Sequence, residues 1–173
     1  PGCRVLYSVY LNDEPYDSAT EAVTLEDLPN DWVNIRLFED LRSLTVNHCT
    51  APGAMETLRT ELPDCEMRYS LCIGSQWFDS AAVELTVSGT APTAAELLSQ
   101  LSHFSGVRTV NLPDAAFTID EQHSLVSTYP GISFFWNVQI GSQRVSNLTT
   151  ELSMSGEDDS ALAQLTSALD QIG

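Results

Sequence analysis

Pro63-Asp-Cys-Glu-Met-Arg-Tyr-Ser-Leu-Cys-Ile-Gly-Ser75 decides how this chain is read, because it stands between two other versions of itself. Pro1-Gly-Cys-Arg-Val-Leu-Tyr-Ser-Val-Tyr-Leu-Asn-Asp13 lies 62 residues before it, and Pro130-Gly-Ile-Ser-Phe-Phe-Trp-Asn-Val-Gln-Ile-Gly-Ser142 lies 67 residues after it. The blocks align without a gap as far as Leu25, Val87 and Met154, and Tyr7, Tyr69 and Trp136 match at their centres. Internal self-similarity at such a period marks a repeat architecture. The intervening segments repeat too, since Phe38-Glu-Asp-Leu-Arg-Ser-Leu-Thr-Val46 corresponds to Phe104-Ser-Gly-Val-Arg-Thr-Val-Asn-Leu112 at an offset of 66. One repeat domain over 1–173 is expected, with copies at 1–62, 63–129 and 130–173, the last partial.

Each full copy carries three strand-like pieces. In the middle copy they are Glu84–Val87, Val107–Leu112 and Ile132–Ile140, separated by helical stretches with start signals. Thr93-Ala-Ala-Glu96 and Thr118-Ile-Asp-Glu121 read as capping boxes, and Ala94, Leu97, Leu98, Leu101 and Phe104 keep the helical period. Ser160 begins a third such stretch through Leu162, Leu165, Leu169 and Ile172. Strands recur about every 20 to 25 residues, the size of one coil in a strand–helix solenoid. The chain opens inside a repeat, and its last helical stretch lacks a polar cap, so a larger parent chain is expected.

Leu41-Arg-Ser-Leu-Thr-Val46 and Val107-Arg-Thr-Val-Asn-Leu112 resemble the L-x-x-L-x-L strand of leucine-rich repeats. The Asn or Cys that follows in that family is replaced by His48-Cys49 in one copy and by Asp114-Ala115 in the other. The whole is similar to the divergent leucine-rich-repeat-like proteins of gut Firmicutes, many of them at the cell surface. The resemblance implies an α/β strand–helix solenoid of leucine-rich-repeat-like coils, about seven of them at this spacing. It also implies an extracellular or cell-surface location, recognition of a protein or glycan, and no catalytic residues. The alternative is an α+β repeat with β-hairpins, in which Ile132–Ile140 turns at Gly141-Ser-Gln143 and pairs with Arg144–Ser146.

Alternation along the third strand of each copy sorts its two faces. Cys3, Val5, Tyr7, Val9 and Leu11, with their counterparts Cys65 to Ile73 and Ile132 to Ile140, are apolar and are expected in the core. The opposite face is mixed and supplies the candidate binding residues: Tyr10, Arg68, Ser70, Phe135, Asn137 and Gln139. Exposed aromatics beside an arginine are common interface anchors. The plainer reading is that these residues decorate a solvated face.

Charge narrows the partners. Asp and Glu number 24 against 7 basic residues, all of them Arg, for a formal net charge of -17. Such a surface repels phosphate backbones and anionic lipid, so nucleic acid is not an expected partner. No apolar run reaches the roughly 20 residues of a membrane span, so direct membrane insertion is not expected. Cys3, Cys49, Cys65 and Cys72 show no paired metal spacing and are read as free thiols, with a disulfide as the alternative. His48-Cys49 are neighbours whose side chains point apart, which does not make a nucleophile–base pair. Asn12-Asp-Glu14 and Gly156-Glu-Asp-Asp159 lack the alternating ligand spacing of a calcium loop and read as turns and a helix start. Asn147-Leu-Thr149 matches a glycosylation sequon. No cofactor or metal site is expected. The leading reading is therefore a non-catalytic recognition module. A structural spacer of a larger surface protein is the second reading, and a hydrolase with two converging carboxylates is a third.

Overall fold

The computed structural model describes residues 5–140 and 143–147, and at 139, 140 and 143 it describes the backbone. Ten strands run in chain order: β1 (Ser8–Leu11), β2 (Glu14–Asp17), β3 (Ala22–Leu25), β4 (Ser43–Val46), β5 (Glu66–Ile73), β6 (Gln76–Asp79), β7 (Glu84–Thr86), β8 (Thr109–Leu112), β9 (Ser133–Ile140) and β10 (Gln143–Ser146). Three α-helices join them, α1 (Pro52–Glu61), α2 (Ala94–Gln100) and α3 (Ile119–Thr128), with 3-10 helices at Trp32–Leu37 and Leu101–His103.

The repeat is real, but it is not built as a solenoid. Three separate sheets form: β1-β2 alone, then β3-β4-β5-β6, then β7-β8-β9-β10. In each four-stranded sheet three strands are parallel, and the fourth returns antiparallel at the edge. Parallel pairing runs Ala22↔Ser43 to Leu25↔Val46, then Ser43↔Glu66 to Val46↔Tyr69. It recurs as Glu84↔Thr109 to Thr86↔Asn111, then Thr109↔Ser133 to Leu112↔Trp136. The expected run of about seven leucine-rich-repeat-like coils feeding one parallel ladder is therefore corrected. The physical reason lies in the third strand, which ends in a tight turn and doubles back on itself. The hairpin pairs Gln143 with Ile140 and Ser146 with Asn137, so the return strand Arg144–Ser146 of the α+β alternative forms and is one residue longer, with Gln143 in the strand rather than the turn.

The same hairpin recurs with the same register, Leu11↔Glu14 matching Ile140↔Gln143. Asn12 and Asp13 turn the first hairpin with φ of 48° and 64°, the left-handed region that Asn and Asp tolerate best after Gly. Gly74 does so in the second at φ 64°. Each turn amide is then held by a carboxylate: Asn12 N donates to Asp31 Oδ1 at 3.1 Å, and Gly74 N to Glu96 Oε1 at 2.6 Å. At the other end the residue after each return strand closes a backbone bond to the central aromatic position. Ser18 N donates to Tyr7 O, Ser80 N to Tyr69 O and Asn147 N to Trp136 O, at 2.9, 2.9 and 3.0 Å. That explains why Ser18 and Ser80 are buried although polar.

Internal contacts divide the chain into two compact units, Pro1–Cys72 with Trp77–Ser80, and Ile73–Gln76 with Ala81–Gly173. In the first, Val23, Leu44, Val46, Tyr69 and Leu71 are buried with Ile35, Met55 and Leu58. In the second, Leu85, Val110, Leu112, Phe134 and Trp136 are buried with Leu97, Leu101 and Leu125. Burial of this kind contributes about 1.5–3 kcal/mol per large aliphatic side chain. Thr118 forms the full capping box with Glu121, while Thr93 caps α2 by accepting from Glu96 N and leaves the Glu96 carboxylate to Gly74. Cys49 and Cys65 are buried free thiols, and Cys72 is half-buried. The expected core set fails at Val5 and Tyr7, which are exposed. Cys3, the helical stretch from Ser160 and Gly156–Asp159 lie outside the described residues, as does the side chain of Ile140. No helix among the described residues is long and apolar enough to cross a membrane.

Candidate functional site

Because strand side chains alternate, each four-stranded sheet has one face under the helices and one open face. In the second unit the open face carries Glu84 and Thr86 on β7, Thr109 and Asn111 on β8, Phe135 and Asn137 on β9, and Arg144 and Ser146 on β10. The registers place Thr86, Asn111 and Phe135 in one row and set Asn137 opposite Ser146. A hollow of about 300 Å³ opens over them, lined by Thr86, Asn111, Phe135, Asn137 and Ser146, with Leu112 and Pro113 at the strand end.

Its asparagine side chains are fixed before any ligand arrives, whereas the buried indole Nε1 of Trp136, which also lines the hollow, has no hydrogen-bond partner among the described residues. Asn111 Nδ2 donates to Glu84 Oε1 at 2.8 Å and to Thr86 Oγ1 at 3.1 Å. Asn137 Nδ2 donates to Pro113 O at 3.0 Å, and Arg144 NH2 reaches the same carbonyl at 3.1 Å. Arg144 also lies 3.5 Å from Asp114, whose other oxygen accepts from Gly89 N at 3.1 Å. The amide nitrogens are thus occupied, and no described residue donates to the side-chain oxygen of Asn111 or Asn137. Phe135 is half-buried and offers an aromatic surface between them. A rigid row of amide oxygens around a ring suits a ligand that presents hydroxyl or N–H donors and an apolar face.

The open face of the first unit is filled differently. The matching row is Thr24, Thr45 and Arg68. Arg68 folds back on Glu66, with Nε and NH2 at 2.9 and 2.7 Å from Oε1. Hydrogen bonding to Glu66, with the charges of Glu66 and Asp79, pushes the guanidinium further up in pKa. Trp77 is exposed and meets the His48 ring at a tilt of 54° with centroids 4.6 Å apart, and His48 Nδ1 lies 3.5 Å from Glu26. Asn47 Nδ2 also binds Glu26, at 2.8 Å. Burial pushes Asp27 up, but bonds from Thr50 and Leu28 outweigh that and hold its carboxyl below the usual range. A second hollow, of about 540 Å³, lies against Glu14, Tyr16, Glu26 and Asp27. Its carboxylates already accept from Tyr16, Asn47 and Thr50.

The candidate residues read from the sequence are therefore distributed over several surfaces. Tyr10 is exposed on the two-stranded sheet β1-β2, while Arg68 and half-buried Ser70 lie on β5. Phe135 and Asn137 belong to the hollow of the second unit, and the side chain of Gln139 lies outside the described residues. Thr86 and Asn111 were missed. Their signal was the same alternation in β7 and β8, where Leu85 and Val110 mark the buried side. Cys49 is buried, and desolvation, reinforced by Asp27, pushes its thiol up in pKa despite a backbone bond to Ala51. It is a protonated core thiol, unsuited to nucleophilic attack. Asn147 Oδ1 accepts from Trp136 N and its Nδ2 donates to Phe134 O, so the sequon amide is used inside the hairpin. Among the described residues no three His, Cys, Asp or Glu side chains gather as a metal cage.

Compared with known proteins, the chain matches no family model, no curated protein and no solved structure.

Proposed function

We propose that this protein is a non-catalytic recognition module, acting outside the cell, that binds a neutral glycan on the open sheet face of its second unit. The observation that carries the reading is the hollow of about 300 Å³ in which Asn111, Asn137 and Thr86 surround Phe135. Sugars present C–H faces that stack on aromatic rings and hydroxyls that donate to fixed carbonyl oxygens. Pre-oriented acceptors also spare the ordering cost of binding. A formal charge of -17 disfavours anionic ligands over a Debye length and leaves a neutral one unaffected. The extracellular placement in this proposal rests on the sequence resemblance of Leu41–Val46 and Val107–Leu112 to leucine-rich-repeat strands alone. A peptide with exposed N–H donors is the second reading, because the same amide oxygens accept from either.

The test is an array of neutral oligosaccharides and unphosphorylated peptides probed with the wild type and with Phe135→Ala. Capture of a glycan that weakens at least about tenfold in the variant, at unchanged melting temperature, supports the proposal. Binding that ignores Phe135→Ala, or no binding at all, removes it and leaves the structural-spacer reading.

A further inference from the structure

Three copies of the same hairpin allow a comparison within one molecule. In the second copy β5 starts at Glu66, and in the third β9 starts at Ser133. The first halves of both strands are held in parallel by a neighbour, β4 along Glu66–Tyr69 and β8 along Ser133–Trp136. In the first copy residues 5–7 are in no strand and β1 starts only at Ser8. Among the described residues β1 pairs with β2 and with no other strand, and toward the turn its other side meets the 3-10 helix Trp32–Leu37, where Asn34 Nδ2 donates to Tyr10 O at 3.1 Å.

Burial follows the same line. Tyr69, Phe134 and Trp136 are 3, 5 and 6% exposed. Their counterparts at the first copy are Tyr7, at 44%, and Val5, at 70%, with Leu6 at 54% between them. Four of the nine large apolar side chains exposed among the described residues are Val5, Leu6, Tyr7 and Tyr10. Tyr7 Oη donates to Leu37 O at 2.7 Å, which brings exposed Leu37 beside the same patch. In the other copies helices cover these positions: Arg59 of α1 stands 5.7 Å above the Tyr69 ring, and Phe117, just before α3, meets Trp136 edge-on at 6.3 Å. A stretch with no strand partner and exposed apolar side chains is a template for strand addition.

We propose that the free edge and apolar side chains of Val5–Tyr7, just ahead of β1, form a docking surface for one more strand–helix element of this repeat, built like Leu41–Glu61 and entering parallel to that stretch. The repeat register fixes the arrangement. The incoming strand sits opposite Val5–Tyr7 as Leu44–Val46 sits opposite Met67–Tyr69. Its helix then covers Val5 and Tyr7 as α1 covers the Tyr69 ring. The occupant is apolar on its buried side, like Leu44, Val46, Met55 and Leu58, which are all fully buried where they stand.

The experiment joins a second copy of Leu41–Leu62 directly ahead of Pro1 in the full chain, recreating the Leu62–Pro63 junction. Amide hydrogen exchange is compared with that of the native chain. Slowing of at least about tenfold at Val5–Tyr10, with protection of the added strand, supports the proposal. The same extension carrying Leu44→Asp and Val46→Asp in the added copy is expected to give no slowing. Unchanged exchange at Val5–Tyr10, while β4 and β5 stay protected, overturns it. So does a native chain that sediments as a dimer and becomes a monomer on Val5→Glu, because the occupant is then a second copy of the same surface.

Discussion

Gly74 sits at φ 64°, and a Cβ there would stand 2.6 Å from Thr90 O. Both the left-handed backbone and the close approach exclude a side chain. Gly74→Ala is expected to lose at least about 2 kcal/mol in urea unfolding, whereas Gly53→Ala, with open space around it and ordinary helical φ, should gain about 0.5 kcal/mol. A loss at Gly53 equal to that at Gly74 would contradict the turn geometry. Asp27 gives a pH test. Its carboxyl is depressed in the folded state, so its contribution is present above the usual carboxylate range and is lost as pH falls through the folded value. Asp27→Ala should therefore cost about 1 kcal/mol at pH 7 and progressively less below about pH 4. The check is denaturant unfolding of both proteins across that range. Parallel curves that never converge would assign the loss to packing instead.

At the scale of elements, the sequence was most legible where one local interaction decides the outcome. Thr118-Ile-Asp-Glu121 predicts a helix start, and both halves of the box form. Thr118→Ala is expected to cost about 1 kcal/mol, measured as loss of thermal or urea stability. Thr93-Ala-Ala-Glu96 carries the same letters, yet Glu96 turns to the amide of Gly74. A partner 22 residues away competed with a local one. The strand pieces were legible for the same reason, through their alternation. Which strand pairs with which was not, because an apolar run such as Ile132–Ile140 suits a solenoid coil and a hairpin arm equally well. Gly141-Ser142 and Gly74-Ser75 held the information. At the candidate site, Phe135 and Asn137 were found from the alternation of a single strand. Thr86 and Asn111 needed the register across strands, which only the sheet supplies. Val5 and Tyr7 were misread because alternation says which residues share a face and not whether anything covers it.

Across the whole molecule the charge imbalance sets the conditions. With 24 acidic and 7 basic residues, self-repulsion opposes folding and is screened by salt. The melting temperature is expected to rise by several degrees between about 0.01 and 0.3 M sodium chloride, as the Debye length shrinks from about 30 Å to below 10 Å. A fall would show that attractive ion pairs such as Arg36–Glu61 and Arg144–Asp114 outweigh the repulsion. The repeat distributes roles unevenly. The hairpin lock recurs in every copy, while the open faces differ, with Arg68 tied to Glu66 in one and Phe135 left between two asparagines in the next. Variation of the open faces on a shared hairpin frame is what a recognition scaffold requires. The measurement that tests this most directly is a nuclear magnetic resonance titration of the labelled chain with the neutral oligosaccharides that the array selects. The account predicts saturable shifts concentrated at Thr86, Asn111, Phe135 and Asn137. Shifts that cluster away from this face, or a spectrum that no oligosaccharide changes, would contradict it.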